Sequence, residues 1–144
     1  MNAPQFDHEK LNVYHTSLAF VGVATDLLER VPKSAAVHNQ LDRASTAIPL
    51  NIAEGSGKWT APDRCRFFDT ARGSALECAA CLDVAVVKKI LQPGDIVEAK
   101  QMLLSVVSML VGLIKSVAPG RVYEEQGTYG PQSPEEQEQV KEQA

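Results

Sequence analysis

Residues 11–31 read LNVYHTSLAFVGVATDLLERV, and apolar side chains recur along this segment at the spacing of an α-helix. They form two stripes, because two sets of positions each repeat every three or four residues. One stripe comprises Leu11, Tyr14, Leu18, Val21, Thr25 and Leu28, and the other comprises Val13, Phe20, Ala24, Leu27 and Val31. With about 3.6 residues per turn, the stripes lie about 100° apart, so more of the helix is apolar than one buried stripe requires. The segment predicts a helix with neighbours on two sides.

Residues 96–117 repeat the doubled pattern. One stripe comprises Ile96, Ala99, Leu103, Val106, Leu110, Leu113 and Val117, and the other comprises Val97, Leu104, Val107, Val111 and Ile114. Two doubled helices predict both a bundle and contacts between copies of the chain. The seam between copies is predicted to contain Phe20, Leu27, Leu104, Val107 and Val111. A charge placed on that seam, as in Leu104→Glu or Phe20→Glu, should dissociate the oligomer.

Two more helices lie between these segments. The first helix is predicted to begin at Asp7 as N-cap, with a staple between Phe6 and Leu11, and to end near Val31 before a proline. The second should run from about Ser34 to Gly55, a residue suited to a left-handed C-terminal position, with a kink at its internal proline, Pro49. Its inward stripe is Val37, Leu41, Ala44, Ile48 and Ile52.

The third helix is predicted to begin at Thr60 and to reach Leu91. Its seam is Phe67, Ala71, Ser74, Cys78, Cys81 and Ala85, with Phe68, Ala75, Leu82 and Val86 alongside. A Pro-Gly turn follows, and Asp95 with Glu98 resembles a capping box at the start of the fourth helix. Connections this short favour antiparallel neighbours, so residues 1–118 are predicted to form an all-α, up-down-up-down four-helix bundle.

The charge distribution divides the chain in two. Residues 1–118 carry 12 Lys and Arg against 12 Asp and Glu, whereas residues 119–144 carry 2 against 6. The second segment is rich in Gly, Pro, Gln and Glu and has no apolar rhythm, which predicts a disordered acidic tail. Three cysteines and no recognisable leader indicate a cytoplasmic protein, and the charge-free apolar segment between Lys100 and Lys115 is too short to predict a membrane span.

The segment from residue 40 to residue 55, QLDRASTAIPLNIAEG, and the runs RFF at 66–68 and ARGSALE at 71–77 resemble a known family. It is the four-helix-bundle family of proteins encoded in intervening sequences of bacterial 23S ribosomal RNA genes, and the resemblance covers residues 6–117. It implies a homo-oligomer, specifically a ring of five copies. The family is similar to the accessory protein of diversity-generating retroelements, a basic pentameric bundle that binds nucleic acid and a reverse transcriptase. The neutral bundle segment of this chain departs from that pattern.

The sharpest local feature follows the second helix, where Lys58, Trp59, Arg64 and Arg66 fall close together. Cations beside an aromatic that can stack on a base are the combination used to bind RNA or single-stranded DNA. The alternative is an ordinary solvated helix end, with two aspartates neutralising the charge and Trp59 covering the end of the bundle.

Polar and thiol side chains supply further candidates. The polar residues of the family pattern are expected to form a paired structural network: Arg43, Asn51, Glu54, Arg72 and Glu77. Cys78 and Cys81 form a C-x-x-C, but its mid-helix position and the lack of a second ligand pair favour core packing over a redox or zinc site. No metal site, cofactor or catalytic constellation is predicted, because no histidine follows a glutamate at the di-metal spacing and nothing marks a nucleophile.

Two functions remain open. One is a non-catalytic oligomeric scaffold that binds another protein. The other is a nucleic-acid-binding module acting through repeated copies of the segment from Lys58 to Arg66. The response to salt separates them, because phosphate contacts weaken steeply as salt rises.

Overall fold

The computed structural model describes residue 3 and residues 5–120. In that part of the chain the backbone forms helices and no β-strand, which confirms the all-α class. The elements in chain order are a 3-10 helix Asp7–Lys10, α1 Asn12–Leu28, α2 Ala36–Ser56, α3 Ala61–Val87, a second 3-10 helix Pro93–Ile96, and α4 Val97–Val117. The predicted acidic tail, apart from Pro119 and Gly120, lies outside the described residues.

The four α-helices pack around one core. The most extensive interface joins α2 to α3, and further interfaces join α3 to α4, α1 to α2, and α1 to α4. Each helix therefore contacts two others in a closed circuit. The largest side chains at its centre, all less than 2% exposed, include Phe20, Ile48, Phe68, Leu82 and Leu110.

The predicted stripes differ in how much of each is buried. All five residues of the inward stripe of α2 are buried, which confirms that prediction. In α1 the stripe containing Val13 and Phe20 is buried, whereas Leu18 on the other stripe is 43% exposed. In α4 the first stripe is buried as far as Leu110, whereas Leu104 on the second is 72% exposed. The outer helices therefore do keep apolar surface outside the core of a single chain.

Helix α1 begins later than predicted. Asp7 is the first residue of a separate 3-10 helix, and Leu11 has extended backbone angles, so α1 begins at Asn12. Local side chains hold the 3-10 helix against α1, because the His15 ring contacts the Glu9 carbonyl oxygen through Nε2 at 2.6 Å and His8 packs edge-on against Tyr14. The other end of α1 was also misplaced, since it lies at Leu28.

Helix α2 continues past the glycine predicted to end it. Gly55 lies inside the helix, which ends at Ser56, and no glycine among the described residues has a positive φ. Pro49 is buried within α2, and the helix is unbroken there. The kink at Pro49 stays a prediction.

Capping interactions shape both the second connection, between α2 and α3, and the third, between α3 and α4. Thr60 caps α3 as predicted, since its side chain accepts from the backbone N–H of Asp63 at 3.3 Å. The helix ends at Val87 instead of Leu91, because Lys89 adopts a left-handed φ of 62°. Asp95 does belong to a capping box, but its partner is Gln92 and the helix it begins is the 3-10 helix Pro93–Ile96.

Asp95 also links the third connection, between α3 and α4, to the end of α1. Its Oδ2 accepts from Arg30 at 2.9 Å and from the Gln92 backbone N–H at 2.7 Å, and these bonds lower the pKa of the Asp95 carboxyl. A pKa that is lower in the folded state gives stability above the unfolded pKa of about 3.9, and that stability disappears as pH falls through the folded value.

The Asp95 bonds predict a pH-dependent loss in the Asp95→Asn variant. It should be less stable than the parent at neutral pH, and the gap should narrow as pH falls below about 4. Denaturant unfolding across that range measures it, with Asp26→Asn, an exposed acid on α1, as the control. A gap that does not change with pH would contradict the assignment.

Helix α4 contains a long apolar stretch. Residues Pro93–Val117 are long and apolar enough to cross a membrane, by length and composition alone. A core helix of a soluble bundle meets the same criterion. In this fold Ala99, Leu103, Val106, Leu110 and Ile114 are buried in the bundle.

Candidate nucleic-acid interface

The predicted cationic cluster lies at the connection between α2 and α3. We define the basic corner as Lys58, Trp59, Arg64 and Arg66. The first two residues lie in the connection, and the two arginines lie in the first turns of α3. The sequence places them close along the chain, and the fold places them at one end of the most extensive helix interface.

A close approach of α2 and α3 fixes this connection. A Cβ atom added at Gly55 would lie 2.8 Å from the Phe68 ring and 2.9 Å from Cβ of Phe67, so only glycine fits there without a shift. The turn that follows is hydrogen-bonded, since the N–H of Gly57 donates to Glu54 and that of Lys58 donates to Gly55. Gly55 was therefore misjudged as a left-handed cap, and its real role is to let the helices touch.

Phe67 forms the base of the basic corner. Lys58 Nζ lies 5.0 Å from the centre of the Phe67 ring, and the guanidinium carbon of Arg66 lies 5.3 Å from it. Such contacts contribute about 0.5–1 kcal/mol each at exposed sites. The sequence interpretation placed Phe67 in the core seam, but the residue is only half-buried. The signal that the sequence offered was an aromatic residue directly after Arg66, in the second turn of α3.

Trp59 projects fully into solvent. It is 99% exposed, which contradicts the alternative that it covers the end of the bundle. A tryptophan offers one of the largest apolar surfaces of any side chain, and leaving it hydrated forgoes the stabilisation that burial would give. The indole ring is therefore free to stack on a flat partner.

The positive charge of the basic corner is weakly neutralised. Arg66 and Asp63 are 3.7 Å apart, and both side chains are more than half exposed. Exposed pairs of this kind contribute about 0–1 kcal/mol and are screened by salt, so an incoming anion can displace Asp63. Arg64 is half-buried, and its Nε is shielded from solvent with no hydrogen-bond partner among the described residues.

The predicted polar network does not form within one chain. Arg43, Glu54, Arg72 and Glu77 are exposed, and none of them takes part in an ion pair in residues 5–120. Asn51 donates instead to the carbonyl oxygen of Ala47, one turn earlier in its own helix, at 2.8 Å. Pairing between α2 and α3 is therefore absent within one chain, because these side chains point into water; a role in contacts between copies stays a prediction.

Cys78 and Cys81 lie in the core, as the packing interpretation predicted. Burial, together with the neighbouring Cys81 and Glu77, raises the pKa of the Cys78 thiol to about 12. A thiol that stays protonated is a poor nucleophile and a poor zinc ligand. Among the described residues, no group of three or more His, Cys, Asp or Glu side chains is placed to hold a metal ion.

Part of the predicted oligomer seam was wrong. Phe20 is 0% exposed and Leu27 is 7% exposed, so both pack inside one bundle and cannot reach a second copy. Leu104 is on the surface, and Val107 and Val111 are partly exposed beside it.

The exposed apolar residues of α3 and α4 lie on adjoining sides of the two helices. Lys100 donates to Asp83 at 2.8 Å, so these two residues mark where α4 faces α3. Leu76 and Val87, seven residues before and four after Asp83, share its side of α3. Val97 and Leu104, three residues before and four after Lys100, share its side of α4. We define the α3–α4 face as these four residues, which are 50–80% exposed: Leu76, Val87, Val97 and Leu104.

The described residues thus form a small all-helical bundle protein. Its two distinctive surfaces are the basic corner and the α3–α4 face. The chain belongs to the 23S rRNA-intervening sequence protein family, whose model matches residues 9–112. This confirms the resemblance inferred from the segment 40–55 and its neighbours.

A solved structure supports the fold independently. The chain is similar to a protein of unknown function from the S23 ribosomal protein family of Bacteroides thetaiotaomicron, with a TM-score of 0.68 and 20% identity. The match covers 72% of this chain and 98% of that one. At this identity the likeness establishes the fold alone. No curated protein matched the chain.

Proposed function

We propose that the protein is a non-catalytic homo-oligomeric scaffold, assembled through the α3–α4 face. The observation that carries this proposal is the exposure of Leu104 and Val87, at 72% and 80%, on the adjoining sides of α3 and α4 on which the Lys100–Asp83 ion pair also lies. Contiguous apolar surface on a soluble protein typically marks an interaction site, and burying a leucine contributes about 1.5–3 kcal/mol. A second copy supplies matching apolar surface, and the family resemblance implies five copies in a ring.

Within each copy, the helices are proposed to run antiparallel. Arg30 follows α1 and Asp95 precedes α4, and their ion pair at 2.9 Å brings the first and third connections to one end of the bundle. The second connection, with the basic corner, then lies at the opposite end. In a closed ring with identical contacts, every copy presents that end on the same side.

The mass in solution tests the assembly directly. Light scattering of the unmodified chain at micromolar concentration should give a multiple of 15.6 kDa. A mass equal to one chain would contradict the scaffold.

The second candidate function is binding of single-stranded nucleic acid at the basic corner, and the exposure of Trp59 favours it. An unpaired base would stack on the indole, while Lys58 and Arg66 approach the flanking phosphates. Base stacking on an aromatic side chain contributes about 1–3 kcal/mol, and repetition around an oligomer raises the effective concentration for one strand.

Removing the stacking surface should weaken this binding. Trp59→Ala is expected to lower affinity for a labelled oligo-uridine strand by about tenfold at about 50 mM salt, whereas Trp59→Phe keeps most of it. Fluorescence anisotropy measures both variants, with a duplex of the same length as a second ligand. Absence of binding at low salt, both by the unmodified chain and by a variant with Glu135→Gln, Glu136→Gln and Glu138→Gln, would overturn this candidate and leave the scaffold in place.

A further inference from the structure

We propose that residues 134–142 of this chain, PEEQEQVKE, bind the basic corner and compete there with nucleic acid. The competition rests on the proposed nucleic-acid function, whereas the binding of the segment does not. Three observations carry the inference: where the chain leaves α4, how far it can reach, and which charges meet.

The chain leaves α4 at the end of the bundle that holds the basic corner. The ion pair between Arg30 and Asp95 marks the opposite end. From that end, α2 and α4 each extend for 21 residues, which is about 32 Å at about 1.5 Å per residue. The last turn of α4, at Val117, and the connection after Ser56 are therefore at the same end.

The intervening chain is long enough to reach the corner. Sixteen residues lead from Ala118 to Pro134. A chain of that length can span up to about 55 Å when fully extended, which exceeds the width of two packed helices, about 22 Å. A tethered segment of this kind acts at an effective concentration on the order of millimolar, so weak contacts are sufficient.

The charges are complementary. Residues 134–142 hold four glutamates and one lysine, whereas the stretch 58–66 holds three cations and one aspartate. The segment thus carries carboxylates to side chains that would otherwise contact phosphates. The other adjacent cations, Lys88 and Lys89, follow the far end of α3, which is 27 residues long, or about 40 Å from the corner.

Trp59 reports on the docking directly because it is the only tryptophan in the chain. In the full-length protein, acrylamide quenching of Trp59 should increase about twofold when salt is raised to screen the contact. A tail variant with Glu135→Gln, Glu136→Gln and Glu138→Gln should show the higher quenching already at low salt.

A matched variant controls for net charge. Asp26→Asn, Glu29→Gln and Glu98→Gln remove the same number of carboxylates from exposed positions at the other end of the bundle. This control should quench like the parent protein. In the nucleic-acid arm, the tail variant should bind a labelled oligo-uridine strand about three- to tenfold more tightly than the control does at low salt.

The two readouts separate the two claims. Equal quenching of Trp59 in the parent and the tail variant at low salt would overturn the docking, regardless of the affinity measured for the oligo-uridine strand. Trp59 protected by the tail, with no strand bound by any variant, would overturn the nucleic-acid function and the competition while the docking stands. Equal strand affinity in the tail variant and the control would overturn the competition alone.

Discussion

Leu104→Glu is expected to convert the proposed oligomer into single folded bundles. Leu104 is 72% exposed in one copy, so a glutamate there is hydrated in the monomer and costs the fold little. In the assembly the same carboxylate would be taken out of water without a partner, which costs several kcal/mol and also removes about 2 kcal/mol of apolar burial. In a ring the penalty recurs at every interface.

The measurement is molar mass by light scattering together with far-ultraviolet circular dichroism. The variant should have the mass of one chain, 15.6 kDa, with an unchanged helical signal. Leu50→Glu is the matched control, because Leu50 is also a largely exposed leucine, at 62%, but lies on α2. Dissociation by Leu50→Glu and not by Leu104→Glu would place the interface elsewhere.

Phe20→Glu, which the sequence also suggested for this purpose, should do something different. Phe20 is 0% exposed, so the substitution places an unpaired charge in the core of one bundle. We expect loss of helical signal rather than clean dissociation. The pair Leu104 and Phe20 therefore distinguishes an interface residue from a core residue.

These two residues also show what periodicity can and cannot predict. The spacing correctly identified two apolar stripes on α1 and α4, because side-chain direction follows from helix geometry alone. Which stripe faces inward depends on how the helix is rotated against its neighbours, and that rotation is a property of packing. In α2, where one stripe is apolar and the other polar, the ambiguity does not arise, and all five predicted residues are buried.

The sequence predicted which residues form the basic corner, but not how they are arranged in space. Lys58, Trp59, Arg64 and Arg66 are neighbours in sequence, so their clustering needed no tertiary information. The full exposure of Trp59 and the position of Phe67 between two cations depend on the approach of α2 to α3. The polar network does not form within one chain for a related reason: exposure, rather than residue type, decides whether charged groups must pair.

Gly55 connects the packing of the bundle to the basic corner. Its missing side chain lets α3 approach α2 so closely that an added Cβ would meet the Phe68 ring at 2.8 Å and the Phe67 Cβ at 2.9 Å. The first atom belongs to a ring that is 1% exposed and the second is attached directly to the backbone, so neither can move aside. Adding a methyl group there must separate the helices.

Gly55→Ala should therefore lower the free energy of unfolding by about 1–3 kcal/mol, even though alanine favours a helix over glycine by about 1 kcal/mol. Gly22→Ala is the matched control, because Gly22 is also a helical glycine and a Cβ there meets nothing within 4 Å. The control should gain about 0.5–1 kcal/mol, which separates the two variants by about 2–4 kcal/mol. Denaturant unfolding at one fixed protein concentration measures this gap, because association would otherwise add to stability.

Gly55→Ala should also change the geometry of the basic corner, although Gly55 is not one of its residues. The carbonyl of Gly55 accepts from the N–H of Lys58 at 3.2 Å, and the Phe67 ring carries both Lys58 and Arg66. If α3 shifts away from α2, these cations lose their common base, and affinity for an oligo-uridine strand should fall in Gly55→Ala while it stays unchanged in Gly22→Ala. If Gly55→Ala is as stable as the parent, α2 and α3 can accommodate the added methyl group. The geometry of the basic corner would then depend on the connection between the helices and not on their close approach.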